Sequence, residues 1–306
     1  MNTTTGEHAA DKRAQFDFEI DFSNGGGIQG QAFRLDIEGD DIADETLADT
    51  IVRDLRLLMV RTVRIRNKTI LVEPHKRSSA PVAATADAGC LVDLSHTIED
   101  GMITYKGLPA PLICDHLSRE QSRTHYAAGT EFQIGRITMV GNTGTYIDSP
   151  FHRYADGADL ADFDLAAVAS LQGIVVRVTG MSGRAIPRSA FAAFDVGGKA
   201  VLVHTGWDAH WRTDRYFEGH PFLTADAAAF LRDAGARLVG IDSLNIDDTG
   251  DGARPVHTTL LGAGIPIVEH LRGLDQLPIS GFRFSAVPPK VRGMGTFPVR
   301  AFALIL

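Results

Sequence analysis

A chain of 306 residues with 30 Lys and Arg against 38 Asp and Glu carries a formal net charge of −8, and 44% of it is hydrophobic. That balance supports a buried core in one large domain or two smaller ones and excludes disorder as the main theme. An acidic balance without a basic stripe also argues against binding of nucleic acid or an anionic membrane, because both need clustered Lys and Arg against phosphate. The nearest approach, Arg61, Arg64, Arg66 and Lys68, alternates with Val63 and Ile65 and reads as the solvated face of a strand. Two cysteines, Cys90 and Cys114, make neither a disulfide framework nor a Cys-rich zinc site, so a reducing compartment is expected. Residues 1–7 lack the basic start and apolar run of an export signal. No apolar run approaches the roughly 18 residues of a membrane span. The expectation is a soluble, cytoplasmic protein acting on a small molecule, with no nucleic-acid or membrane partner.

In chain order, the first dozen or so residues are polar and expected to fray. Phe16, Phe18, Ile20 and Phe22 then alternate with Asp17, Glu19 and Asp21, which at a two-residue period puts the apolar groups on one strand face. Gly25, Gly26 and Gly27 precede a returning strand marked by Gln31, Phe33 and Leu35; with no helix start after them, they read as a hairpin turn and not as a phosphate cradle. Asp44 is placed to cap a helix with apolar positions Leu47, Ile51, Leu55 and Leu58 or Met59. A strand pair over 63–72 would complete a small α+β module, residues 14–76. That module carries no catalytic constellation, and its apolar face suggests docking on the larger domain or on a neighbouring subunit. Residues 77–89 have the low complexity of a linker.

Residues 90–306 are mixed α and β. Runs at 135–140, 173–178 and 200–204 are β-rich, a helix runs from the capping residue Thr224 to a stop at Gly235, and 237–241 reads as a buried strand. There is no internal repeat, GxGxxG or P-loop. Polar residues suited to acid–base work or metal binding gather in two segments. One holds Asn142, Tyr146, Asp148 and His152 among turn formers, with an imidazole four residues after the carboxylate. The other runs from Asp242 through Asn245, Asp247 and Asp248 to His257 and Glu269.

The first segment resembles the His-X-Gly-Thr-His-X-Asp-X-Pro-X-His signature of the cyclase-like metal-dependent hydrolases, which include bacterial kynurenine formamidase and isatin hydrolase. The resemblance runs from about Asp93 to the C-terminus. It takes in Val92-Asp93-Leu94-Ser95-His96, Thr205-Gly206-Trp207-Asp208, Gly240-Ile241-Asp242-Ser243, His257-Thr258-Thr259-Leu260-Leu261 and Ile267-Val268-Glu269 in the family's order. It implies an α/β fold, a swivelling β/β/α barrel, and a homo-oligomer. It also implies a metal held by the two signature histidines before the aspartate, a second metal completed by a downstream histidine and glutamate, and a general base at the last signature histidine. Asp148, His152, His257 and Glu269 match these positions. Asn142 and Tyr146 stand where the family has its two early histidines.

A carboxamide is a weak ligand, and a tyrosine must lose a proton near pKa 10 to bind a divalent ion well. The first metal position is therefore expected to be lost. Asp148, His257 and Glu269 remain as a set for one divalent ion, zinc or manganese. A metal-free reading stands beside it, in which Asp148, Glu269, His257, His152 and Tyr146 form an acid–base cluster and Asn142 and Tyr146 donate to an oxyanion. The expected reaction is hydrolysis of a C–N or C–O acyl bond (amide, formamide, lactam or lactone) in a small cyclic or aromatic metabolite, with His152 as base. The alternatives are a metal-independent cyclase, dehydratase or isomerase of a secondary-metabolite or catabolic pathway, and a non-catalytic binding protein on the same fold.

Each residue also has a plainer reading. Asp148 could cap a turn, and a lone His257 is commonly a satisfied buried histidine. Asp242, Asp247 and Asp248 lack the spacing of a calcium loop and suit turns and supporting hydrogen bonds. His204, His210 and His220, near Trp207, Trp211 and Tyr216, suit core packing somewhat better than a ring pocket. Ser243 lacks a nucleophile elbow, and Lys290 could lie near the site.

Overall fold

The computed structural model describes residues 11–23, 25–37, 39–55, 57, 59–73 and 89–306. They form two compact units, one made of the described residues up to Glu73 with Ala193–Asp195, the other of Gly89–Ala192 with Val196–Leu306. In the first, β1 (Asp11–Phe22) and β2 (Gly27–Ile37) make the expected hairpin, with Gly25 and Gly26 at positive φ in the turn. Helix α1 (Asp44–Asp54) follows, and β3 (Val60–Glu73) returns antiparallel to β1, giving the order β2-β1-β3. Alternation buries Phe16, Phe18, Ile20 and Phe22 along with Leu47 and Ile51 of α1. Away from that apolar set, Arg64 pairs with Glu19 and Asp21 at 3.1 and 2.8 Å, so the basic cluster is a solvated strand face.

Three features differ from expectation. Strand β1 already begins at Asp11, inside the stretch expected to fray. Helix α1 is capped at Ala43 without a side-chain hydrogen bond, so Asp44 is its first residue and contributes through charge at the positive end of the helix. Residues 63–72 belong to one strand and not to a pair. Asn67, at φ 53, donates to Asp17 at 2.7 Å and forms a bulge where its polarity mimics a turn. Leu58 and, apart from Gly89, the expected linker lie outside the described residues.

The second unit runs through β4 (Cys90–Asp93), β5 (Leu112–Leu117), α2 (Arg119–Ser122), β6 (Ile134–Thr138), β7 (Tyr146–Asp148), β8 (Leu171–Arg177), β9 (Ala185–Ile186), β10 (Ala200–His204), β11 (Phe222–Leu223), α3 (Ala225–Asp233), β12 (Leu238–Ile241), α4 (Pro255–Gly262), β13 (Ile267–Glu269), β14 (Phe282–Ser285), β15 (Thr296–Pro298) and β16 (Phe302–Ile305). Nine of these strands make one mixed sheet in the order β15-β7-β13-β12-β10-β8-β14-β16-β4. Its centre, β8, β10, β12 and β13, is parallel, and every outer pairing is antiparallel. Strands β10 and β12 are buried along their whole length, which is why they read as continuous apolar runs.

Ile147, Val175, Leu202, Leu238, Val268, Phe282 and Phe284 belong to one core cluster. Each such side chain contributes about 1.5–3 kcal/mol by leaving water, so the sheet and not its short helices dominates stability. Helix α3 starts where Thr224 accepts from the Ala227 amide and stops before Gly235 at φ 77, as its sequence predicts. This is the α/β architecture of a swivelling β/β/α barrel. Among the described residues no helix is long and apolar enough to cross a membrane.

Candidate active site

Three adjacent strands and one helix carry the site. Strand β7 lies between β13 and β15; in register, Tyr146 opposes Glu269, and Asp148 opposes Ile267 on one side and Thr296 on the other. Period two and antiparallel pairing therefore put Tyr146, Asp148, Glu269 and Thr296 on one sheet face. His152 follows on the helical turn Pro150–His152, and His257 comes from α4. Gly295 permits the close approach of β15, because a Cβ there would lie 2.4 Å from the His152 amide nitrogen. Asn142, Tyr146, His152, His257 and Glu269 line one cavity of about 530 Å³. Asp148, fully buried, stands against His152 and His257.

His257 Nε2 lies 3.6 Å from Asp148 Oδ2 and 3.7 Å from Glu269 Oε1, too far for direct hydrogen bonds. Its Nδ1 is 2.7 Å from Asp247 Oδ2. Asp247 also accepts the Val256 and His257 amides at 2.7 and 3.0 Å, so one carboxylate anchors the first turn of α4 and orients the ring. Thr296 Oγ1 donates to Asp148 Oδ1, so at 2.8 Å it accepts from His152 Nδ1. That bond pattern leaves the lone pair of His152 on Nε2. Glu269 accepts the Tyr146 hydroxyl at 2.6 Å, the Asn245 amide at 3.3 Å and the Ile246 backbone N–H at 2.6 Å. Because Tyr146 donates to Glu269, its oxygen accepts from His270 Nε2 at 3.3 Å, and His270 Nδ1 accepts from Tyr216 at 2.8 Å.

Burial pushes the Glu269 carboxyl up to about 7, against the pull of His257 and the hydrogen bonds from Tyr146 and Ile246. Burial alone would lower His257, but Asp148, Asp247 and Glu269 outweigh it and bring the imidazole up to about 10. Burial, reinforced by Glu269 and Asp148, holds Tyr146 well above the usual phenol value, which makes it a neutral donor at ordinary pH. Burial keeps His270 neutral.

Asp148 Oδ2 has no hydrogen-bond partner among the described residues. Ligand atoms of Asp148, His152 and His257 all lie within 4.8 Å of one another. Two ligands about 2.1 Å from a tetrahedral ion are about 3.4 Å apart, close to the separations around His257 Nε2. A carboxylate on the far ring nitrogen is the usual second partner of a metal-binding histidine, and Asp247 fills that place. The residues present fit a single divalent ion. Glu269 is the least free of them, since all its bonds above come from the chain itself.

The other sequence candidates lie apart from the cavity lining. His204 is bonded to Arg177 at 2.9 Å and His220 to the Asp247 carbonyl at 3.0 Å, both buried. Ser243 donates to the Pro221 carbonyl, and Lys290 borders a separate small cavity. Thr296 and His270 were not marked by any motif, whereas Asn245 stood in the second polar segment. Thr296 acquires its meaning only from register with Asp148. Asp247, by contrast, stood in the acidic loop assigned to supporting hydrogen bonds.

The barrel and its acid–base cavity define a member of the cyclase-like metal-dependent hydrolase superfamily. The chain belongs to the cyclase family: the family model described as a putative cyclase matches residues 92–248, just over half of its length. It is 28% identical over 211 residues to the kynurenine formamidase of Bacillus cereus, covering 69% of this chain and 95% of that one. A solved structure described as a potential metal-dependent hydrolase with cyclase activity matches with a TM-score of 0.59 at 28% identity, over 72% of this chain and 99% of that one. Isatin hydrolase A from Labrenzia aggregata shares the fold, with a TM-score of 0.60 at 21% identity over 71% and 93% of the two chains.

Proposed function

We propose that the protein hydrolyses a C–N or C–O acyl bond in a small cyclic or aromatic molecule. The observation that carries this reading is the pinning of His152: with Nδ1 held on Thr296, its basic Nε2 is left on a ring that lines the cavity. There it can take the proton of a water attacking an acyl carbon. Asn142, on the same wall, supplies a hydrogen bond to the developing oxyanion; Tyr146 can add one as its proton shifts from Glu269. His257, raised by its carboxylate neighbours, balances the charge of Asp148 and Glu269. The kynurenine formamidase relative supports amide chemistry in particular.

A single ion, zinc or manganese, would be held by Asp148 and His257 with Glu269 completing the set, since a His152 Nε2 bound to an ion has no lone pair left to act as base; when bound, the ion supplies Lewis-acid polarisation of a carbonyl or a water. The test of the base is His152→Ala, which should lower kcat/KM on a substrate taken from an amide and lactone panel by about 10²–10⁴ with an unchanged Tm. Activity within a few-fold of wild type would remove His152 from that role.

One observation favours a second reading. Tyr146 places its hydroxyl on Glu269 where the family signature has an imidazole, so proton transfer through that pair can proceed with chain groups alone. Metal-independent cyclisation, dehydration or isomerisation would follow. Elemental analysis of protein purified without chelator separates the two, since stoichiometric zinc or manganese contradicts the metal-independent reading.

A further inference from the structure

The cavity lining holds three cations that the hydrolytic groups leave unused, Lys106, Arg153 and Arg254. Lys106 is exposed and lies 3.9 and 4.0 Å from Asp214 and Glu218, so surface acids share its charge. Arg153 is also exposed; its Nε donates to Thr258 at 3.3 Å and its guanidinium lies over the Tyr154 ring.

Arg254 differs from both. It is half-buried, and its guanidinium meets neutral acceptors: the Asp248 carbonyl at 3.1 Å and Asn245 Oδ1 at 3.4 Å. The Asp248 carboxylate is turned to Arg184 at 3.5 Å, and no ion pair takes up the Arg254 charge among the described residues. The backbone of Arg254 stands at φ 47 and ψ 58, an unfavourable region for a residue with a Cβ, at the cap of α4 just ahead of Pro255. The guanidinium is thus held at the cavity by neutral bonds and an uncommon backbone, with no direct ion pair among the described residues. A partly desolvated cation with its fork geometry open is suited to a bidentate carboxylate. Asn245 donates to Glu269 at 3.3 Å, so the guanidinium is one carboxamide away from the hydrolytic cluster.

We infer that Arg254 is a specificity-determining residue that binds a carboxylate on the substrate about one ring's width from the scissile bond. The substrate class is then a carboxylate-bearing aromatic or cyclic amide or lactone. The scissile bond in that statement rests on the hydrolase reading, whereas the anion subsite does not. A chain of net charge −8 repels anions in general, so a local cation is what admits one.

The test is calorimetric titration of the full chain with benzoate and with its neutral isostere benzamide, using wild type, Arg254→Met and Arg254→Lys, each checked for an unchanged far-UV spectrum. Wild type should bind benzoate at least tenfold more tightly than benzamide. Arg254→Met should abolish that preference without changing benzamide binding, and Arg254→Lys should retain part of it. No detectable benzoate binding, equal binding of the two probes by wild type, or benzoate affinity within twofold of wild type in Arg254→Met overturns the proposal. If Arg254→Met does not fold, the wild-type ratio and a several-fold loss in Arg254→Lys decide. A chain that hydrolyses nothing yet shows this preference keeps the subsite and loses the hydrolase reading. One that hydrolyses carboxylate-bearing amides equally well as wild type and as Arg254→Met loses the subsite alone.

Discussion

His96 shows how a single side chain can set the pH range in which the molecule is stable. Its ring stacks on Trp211, centroids 3.9 Å apart and planes 11° from parallel, and its Nε2 has no hydrogen-bond partner among the described residues. Burial, with the Arg272 charge adding to it, lowers the imidazole to about 3. The unfolded chain, with a histidine near 6.5, then takes up the proton first, so stability falls as pH drops from about 6.5 towards 3 and is regained on raising it. At pH 5 the difference amounts to about 2 kcal/mol. His96→Phe preserves the stack and removes the titration, so urea unfolding should show a flatter decline between pH 6.5 and 5 than in wild type. An unchanged slope would mean that His96 is not buried in its neutral form. Of the site residues, Asp148, His152, His257 and Glu269 were legible because a local signature and its ordered companions mark them. Thr296 and His270 were not, because their roles come from strand register and from packing, which leave no trace in neighbouring residues.

Helix α4 shows the same limit at the scale of an element. Its cap residue is Arg254 in a left-handed conformation with no capping side chain, and the carboxylate that receives its first amides belongs to Asp247, well upstream. A window of sequence around Pro255 therefore lacks the Ser, Thr, Asp or Asn signal that made α3 readable from Thr224. Strand β3 failed in the opposite direction, since the polar bulge at Asn67 resembles a turn. The dual duty of Asp247 has a measurable consequence. Asp247→Asn keeps one acceptor for the helix amides but removes the charge that orients and raises His257. Activity should fall about 10–100-fold, the usual cost of losing such a supporting carboxylate. Stability should fall by about 1 kcal/mol from the weakened cap. The pH–rate profile distinguishes positioning from general damage: any limb set by His257, which Asp247 helps to raise, should move to lower pH than in wild type, whereas a merely loosened fold would lower the whole profile without moving it.

At the scale of the molecule, the second unit closes on itself. Strand β4, at its start, pairs with β16, at its end, through Asp93 with Phe302 and Cys90 with Ile305, so the sheet needs no strand from outside residues 89–306. Every proposed catalytic or ligand side chain lies within that range. The first unit has its own three-stranded sheet and its own buried apolar set, and it holds none of those groups. A protein comprising residues 89–306 should therefore fold alone, with a Tm within a few degrees of the full chain and kcat/KM within about threefold, because stability and chemistry both reside in the nine-stranded sheet. We propose from the family resemblance that the chain forms a homo-oligomer, and that this proposed self-association survives the truncation. The β5–β6 ribbon is a separate two-stranded sheet that leaves Leu112, Ile113, Ile134 and Ile137 exposed, and a lone ribbon of that kind is marginal in water. Light scattering on both proteins, together with thermal melts and turnover, checks these expectations. A soluble but monomeric and inactive 89–306 fragment would place the first unit in the working assembly, and an insoluble one would show that the boundary at Gly89 cuts through a single folding unit.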